Sequence, residues 1–276
     1  MKRLRLKKMN ALIGIIGLAF TITLIISVVN IFSWHEDNKA IEKDVEKIKN
    51  IVEVKEIENK GNVEIVNEPT KEEVDEFNPY WDYIDMKLID VEFDDLKNEN
   101  PDTVGWIQVN GTRINYPFVQ AADNKYYLTH SFYKRNNSAG WVFLDYRNNI
   151  KELDKNTLLY AHGRKNNTMF GSLNGILDSK WIKNTDNYVI KLSTETENTL
   201  WQVFSVYHIP TTSDYLQIKF DSNEEFLEFA NKLKDRSMHN FNTNINAEDK
   251  ILTLSTCLNE QEKTVVHAKL IKREGR

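Results

Sequence analysis

Hydrophobic residues are distributed unevenly along this chain. Residues 11–32 form one largely apolar stretch without a charged residue, and residues 2–8 before it contain five lysines and arginines. At about 1.5 Å rise per residue, a helix of this length spans roughly 30 Å, the thickness of the hydrocarbon core of a bilayer. We therefore expect residues 11–33 to form a transmembrane anchor.

The charges around this stretch predict its orientation. Basic residues flank only its N-terminal side, and Glu36 and Asp37 follow it. The positive-inside rule then leaves residues 1–10 as a cytoplasmic tail and the bulk of the chain outside the cell membrane. A cleaved signal peptide is the competing interpretation, but its apolar core is normally shorter and a small-residue cleavage site follows it. Here the residues at the C-terminal end of the apolar stretch, up to Trp34, are mostly large and offer no such cleavage site. We therefore expect a single-pass anchor that is retained.

Residues 34–72 are predicted to connect the anchor to a folded domain that begins near residue 73. Glutamate and lysine dominate up to residue 58, and apolar residues recur at the helical spacing of Ile41, Val45, Ile48 and Val52. This pattern predicts a solvated juxtamembrane helix. Residues 59–69, with a glycine and a proline, indicate a flexible stalk. The Thr70 and Glu73 capping box predicts the start of a helix that Pro79 interrupts, and a second short helix is expected over residues 93–97.

From residue 104 onward, short runs of β-branched and aromatic residues alternate with turn residues. The predicted strands cover residues 104–109, 113–119, 140–144, 157–161, 188–192, 201–209, 250–255 and 264–271. Asn110 and Gly111 indicate a hairpin between the first two. One helix is predicted between the sixth and seventh strands, with a cap region at 221–224 and an apolar face at Phe226, Leu227, Phe229, Ala230 and Leu233. These elements predict a mainly β fold, an eight-stranded closed or nearly closed barrel.

Composition narrows the possible functions. The formal net charge is -5, and basic residues beyond the N-terminus are mixed with acidic ones, so we expect no nucleic-acid partner. The six histidines are dispersed and no cluster of cysteine and histidine is present, so we expect neither a metal nor another cofactor.

The single cysteine, Cys257, is the first candidate for chemistry. It cannot form an internal disulfide, and a free thiol outside the cell is a liability unless its reactivity is used. Cys257 is therefore either a nucleophile or a small buried hydrophobic residue. His162 is the leading partner because it follows a predicted strand and precedes a polar loop, whereas His267 is expected on a strand face. Asp145 and Asn148 are candidates for orienting an imidazole.

Several motifs, in order along the chain, resemble those of the class B sortases. Residues 253–257, Thr-Leu-Ser-Thr-Cys, and residues 265–270, Val-Val-His-Ala-Lys-Leu, are similar to the active-site end of that family. Similar motifs occupy residues 100–107, 115–120, 143–148, 160–162 and 169–173. The resemblance covers about residue 75 to the C-terminus and implies a sortase catalytic domain over residues 73–276. The predicted anchor and the helix between the sixth and seventh strands are both expected for this class.

The resemblance implies a cysteine transpeptidase of a Gram-positive-type bacterium. Cys257 would attack the threonine carbonyl in a C-terminal sorting motif of an exported protein and form a thioacyl intermediate. An amine of a lipid-linked peptidoglycan precursor would resolve it, and His162 would move the protons. The implied substrate-binding residues are Asn124, Leu128, Tyr160, Thr211, Tyr215, Leu216 and Ser255.

One position departs from the family pattern. The family places an arginine two residues before the Val-Val pair, and this chain has Lys263 there. Lysine keeps the charge but lacks the planar fork of donors. Either Lys263 takes over the oxyanion-binding role, or Arg164 substitutes, or the enzyme is slow or repurposed. A pilin-polymerising sortase, a hydrolytic cysteine peptidase and an inactive barrel that binds sorting peptides are the alternative functions.

Overall fold

The computed structural model of the chain describes residues 2–58, 63–67, 79–257 and 262–276, and only the backbone of residues 2–8 and of Cys257. Its compact units are residues 1–43 and 44–276. The expected helix start at Thr70 and Glu73 lies outside the described residues.

The first helix, α1, runs from Lys2 to Ile51 and contains the predicted anchor. From Met9 it is long and apolar enough to cross a membrane, by length and composition, with a mean hydropathy of 2.7 in its most apolar window. None of that window is buried in the structure. The apolar helix is therefore confirmed, and its insertion in a membrane stays a prediction.

Among the described residues, five short elements lie between α1 and the barrel. They are β1 (Val54–Ile57), β2 (Val63–Ile65), α2 (Tyr80–Asp85), β3 (Leu88–Val91) and α3 (Asp94–Glu99). Strand β1 pairs with β3 in an antiparallel two-stranded sheet. Helix α2 begins directly after Pro79, whose fixed φ suits a helix start, and α3 agrees with the predicted second helix.

Eight strands close into a barrel. They are β4 (Thr103–Val109), β5 (Asn115–Val119), β6 (Phe143–Leu144), β7 (Asn156–His162), β8 (Val189–Ser193), β9 (Glu197–Pro210), β10 (Ile251–Cys257) and β11 (Glu262–Gly275). Their order is β10-β7-β6-β5-β4-β8-β9-β11, and the pairing of β10 with β11 closes the ring. The mainly β, eight-stranded barrel predicted from the sequence is confirmed. The turn after β4 contains Gly111 at a φ of 68°, where glycine has no steric cost.

The prediction missed β1, β2 and β3, because it assigned the residues of β1 and β2 to a solvated helix and a flexible stalk and assigned no element to those of β3. Strand β2 instead pairs with β11 and extends the barrel sheet. Strands of three or four residues carry too little periodicity to be recognised, and their backbone partners lie far away in the sequence. The solvated helix also needs correction in its last turns, where Asp44 and Ile48 are buried.

These additions move the start of the folded unit. We expect a chain of residues 44–276 to be soluble without detergent and to melt at least about 5 °C higher than a chain of residues 71–276. The shorter chain loses β1 and β2. It also loses Glu56, which pairs with the buried Lys191 at 3.1 Å. Thermal melts of the purified fragments test this, and equal melting temperatures would contradict it.

The predicted helix between the sixth and seventh barrel strands is confirmed as α5. A short helix, α4 (Ser179–Ile182), precedes β8, and α5 spans Asn223–Asp235. Ser222 caps α5 by accepting a hydrogen bond from the backbone of Glu225. Its buried face, Phe226, Phe229, Ala230 and Leu233, packs in one cluster with Tyr207 and Tyr215. This packing fixes both ends of the loop of residues 211–222.

Candidate active site

Cys257 and His162 are neighbours in the barrel although 95 positions separate them in the sequence. Strand β10 lies parallel to β7, and the register pairs Ile251 with Asn156 and ends with Cys257 opposite His162. Neighbouring strands lie about 4.8 Å apart, so the two backbones end side by side. Strand β7 is buried through Ala161, and His162 is its first partly exposed residue. The two candidate catalytic residues thus meet where the strands emerge from the core.

The imidazole of His162 is held by a backbone carbonyl. Its Nε2 lies 2.8 Å from the oxygen of Leu128, at the end of the 3₁₀ turn of residues 126–128. Because a carbonyl only accepts, Nε2 carries the proton and donates, which leaves Nδ1 of the neutral ring as an acceptor. Burial lowers the pKa of His162, the Leu128 bond raises it in part, and the charge of Arg164 lowers it further. The neutral ring is therefore the main form at pH 7.

We expect NMR titration of full-length protein labelled at histidine to give His162 a pKa below its usual value of about 6.5. Removing the nearby charge by Arg164→Gln should raise that pKa. Lys165→Gln removes an exposed charge from the same loop and serves as the control. A pKa above 6.5, or equal effects of the two substitutions, would contradict the stated causes.

The loop after His162 folds back on its own strand. The backbone N–H of Phe170 donates to the carbonyl of His162 at 3.1 Å, and Gly163 bridges to Met169. A Cβ at Gly171 would collide with the carbonyl of Arg164, so this close return requires glycine. The motif at residues 169–173 therefore shapes the loop that carries Arg164.

Lys263 lies at the same end of the barrel as Cys257. The register between β10 and β11 pairs Ser255 with Val265, and Cys257 and Lys263 are each two residues beyond that pair. Next to Lys263, the N–H of Thr264 donates to the hydroxyl of Thr256 at 2.9 Å. Lys263 also pairs with Ile209 of β9 and is partly exposed. This backbone position suits a cation near the nucleophile, and the role itself stays a prediction.

The expected substrate-binding residues fall into two linked groups. Asn124 donates to Asp145 at 2.9 Å and Tyr160 donates to the same carboxylate at 2.9 Å. Tyr215 and Ser255 are buried, and their hydroxyls lie 2.9 Å apart. Since Ser255 pairs with Tyr160 in the β10–β7 register, the two groups lie beside each other.

The remaining expected residues lie on loops at this end. Leu128 contributes the carbonyl that holds His162, and its side chain is partly buried. Leu216 packs against the cluster under α5, and Thr211 is exposed directly after β9. The loop of residues 211–222 therefore carries Thr211, Tyr215 and Leu216 together.

Among the described residues, neither Asp145 nor Asn148 orients the imidazole of His162. Asp145 binds other side chains, and Asn148 donates to Asp154 and to the carbonyl of Asn156. His162 is held instead by the backbone oxygen of Leu128, which cannot be predicted from a pattern of side chains.

His267 has a structural place inside the barrel. It lies in β11 as expected, fully buried, with Nε2 2.8 Å from the Tyr207 hydroxyl and Nδ1 2.8 Å from the Thr253 hydroxyl. Burial lowers its pKa to about 3, so it stays neutral.

Comparisons with known proteins bear on this site. The Sortase domain family matches residues 107–271, which include Cys257, His162 and Lys263. Sortase B of Staphylococcus aureus is 35% identical over 185 residues, which are 66% of this chain and 75% of that protein. Sortase B from B. anthracis in complex with AAEK1 has a TM-score of 0.66 at 31% identity, over 87% of this chain and 99% of that chain. The Staphylococcus aureus sortase B–substrate complex has a TM-score of 0.61 at 34% identity, over 65% and 84% of the two chains.

Proposed function

This chain belongs to the class B sortases, a family of transpeptidases, and on that premise we propose that it joins exported proteins to the cell wall through a thioacyl intermediate on Cys257. Its substrates would be proteins with a C-terminal sorting motif, cleaved after threonine. The observation that carries the proposal is the register pair of Cys257 and His162 at the open ends of β10 and β7.

The first half-reaction transfers the acyl group to the enzyme. Nδ1 of neutral His162 takes the thiol proton of Cys257, and the thiolate attacks the threonine carbonyl. A C–S bond forms, and the carbonyl electrons move to oxygen, where the cation of Lys263 stabilises the charge. When the C–N bond breaks, His162 gives its proton to the leaving amine and returns to the neutral form.

The second half-reaction releases the product. The amine of a lipid-linked peptidoglycan precursor attacks the thioacyl carbon and loses a proton to His162. The C–S bond then breaks, and the proton returns to the Cys257 thiolate. Asn124, Leu128, Tyr160, Thr211, Tyr215, Leu216 and Ser255 would form the walls that bind the sorting peptide. The existence of a substrate complex of the Staphylococcus aureus sortase B supports substrate binding by this chain.

The proposed location follows from α1. Residues 1–10 would lie in the cytoplasm, 11–33 in the membrane, and 34–72 would lead to an extracellular catalytic domain over 73–276. The apolar window of α1 supports this assignment.

Intact-protein mass spectrometry tests the proposed function. Full-length protein in detergent is incubated with a library of peptides that each contain a threonine in a variable sorting-type sequence. We expect a mass increase equal to the N-terminal part of one peptide, removed by hydroxylamine and by an added amine. Peptide release without any covalent adduct would overturn the proposal.

A further inference from the structure

The carboxylate of Asp145 is the centre of a hydrogen-bond cluster beside the substrate-binding residues. It is fully buried directly after β6, and both oxygens are used. Oδ1 accepts from the backbone N–H and from Nε of Arg147 at 3.0 and 2.9 Å. Oδ2 accepts from Nη2 of Arg147 at 2.8 Å, in addition to Tyr160 and Asn124. One buried group therefore receives five hydrogen bonds.

Arg147 extends this cluster to a second loop. Its Nη2 also donates to the carbonyl of Leu216 at 3.2 Å, in the loop between β9 and α5. Asn124 makes a second hydrogen bond to the loop that carries Asp145, because its Oδ1 accepts from the N–H of Tyr146 at 3.0 Å. Two loops and strand β7 thus meet at one ion pair.

Only an ionised carboxylate satisfies these donors together. It offers about four lone-pair sites and no competing proton, whereas an asparagine would direct its own NH₂ at other donors. Burial raises the pKa of Asp145, but the bonds from Arg147, Tyr160 and Asn124 outweigh it and leave the pKa below its usual value. Asp145 is therefore ionised at neutral pH.

The catalytic pair is held by other contacts. Cys257 and His162 are aligned by the β10–β7 ladder, and the carbonyl of Leu128 holds the imidazole. The turn that presents this carbonyl has its own support, since the Tyr127 hydroxyl donates to Asp102 at 2.6 Å and accepts from Asn100 at 2.9 Å. Disturbing Asp145 should thus alter the peptide-binding walls and spare the reacting groups.

We propose that Asp145 and Arg147 are positioning residues for the peptide substrate, which hold Asn124, Tyr160 and the Leu216 backbone in one arrangement. The proposal rests on the proposed function of this site. Neither residue needs to touch the reacting atoms, and their effect is on the affinity for the peptide.

The test compares Asp145→Asn and Arg147→Gln with the unchanged full-length enzyme in detergent. We expect KM for a turned-over peptide to rise about tenfold in each variant and kcat to stay within about threefold, on the scale of losing one charged hydrogen bond. KM of the double variant should be little higher than KM of either single variant, since each substitution already removes the ion pair between Asp145 and Arg147. The rate at which iodoacetamide modifies Cys257 should stay within about twofold.

Glu197→Gln is the matched control. Glu197 is also a buried carboxylate, paired with Arg273 at 2.8 Å, but it lies at the other end of β9 from residues 211–222. The same chemical change there should leave KM unchanged. If Glu197→Gln raises KM equally, or if kcat and iodoacetamide reactivity in the Asp145 variant fall by as much as KM rises, the role of Asp145 is only structural and the proposal is wrong.

Hydrogen exchange separates this proposal from the proposed function. In Asp145→Asn, the backbone amides of residues 123–126 and 214–217 should exchange faster, while those of residues 171–175 should not change. If the unchanged enzyme turns over no peptide, the proposed function fails, whereas this exchange pattern shows independently whether Asp145 and Arg147 hold the two loops. Unchanged exchange at both loops would overturn it. Arg147→Gln, at a half-exposed side chain, gives the same comparison if Asp145→Asn does not fold.

Discussion

Cys257→Ala is expected to abolish the thioacyl adduct and to lower peptide turnover by at least about 10⁴-fold. The proposed reaction passes through a C–S bond, and alanine has no atom that can form it. Because Cys257 is the only cysteine in the chain, no other thiol can substitute. Mass spectrometry for the adduct and a fluorescence assay for peptide cleavage measure the two effects.

The control for this variant is a measurement of its thermal stability. A Cys257→Ala protein should keep the melting temperature of the unchanged protein within a few degrees, because the substitution removes one atom at the end of a strand. Turnover that persists in a folded Cys257→Ala protein would rule out a cysteine transpeptidase.

The barrel was predictable because its strands have strong local signals. The run from Asn156 to His162 is rich in apolar residues and is bounded by polar ones, and the structure buries it between β10 and β6. Helix α5 was predictable for the same reason, since its apolar residues repeat at helical spacing behind a serine cap. Such elements are specified by neighbouring residues, so a single sequence reveals them.

The contacts that build the site were less accessible. Leu128 was expected from the family resemblance as a substrate-binding residue, yet its carbonyl is the group that orients His162. Every residue has a backbone carbonyl, so no sequence motif identifies the one that binds His162. The roles of Asp145 were hidden likewise, because its partners come from residues 15 to 21 positions away and from its own loop. Strands β1, β2 and β3 were missed because they are short and their partners lie elsewhere in the chain.

The second large effect is expected at Lys263. Attack on the threonine carbonyl places negative charge on its oxygen, and a fixed cation there contributes about as much as one oxyanion donor, roughly 2–4 kcal/mol. Lys263→Ala should therefore slow turnover by on the order of a hundredfold or more. The position two residues beyond the Ser255–Val265 pair supports this role, since Cys257 lies equally far beyond it on β10.

Lys263→Arg and Arg164→Ala complete this experiment. The guanidinium of arginine offers two parallel donors, so Lys263→Arg should keep or raise kcat. Arg164→Ala should have a much smaller effect, because Arg164 lies on the loop after β7 and its Nη1 is directed to the Ser138 hydroxyl at 3.5 Å. Steady-state kinetics on the three variants decide between the two cations. If Lys263→Ala is harmless and Arg164→Ala is severe, the oxyanion is stabilised from the loop after His162, and the assignment of Lys263 by its place before the Val-Val pair is wrong.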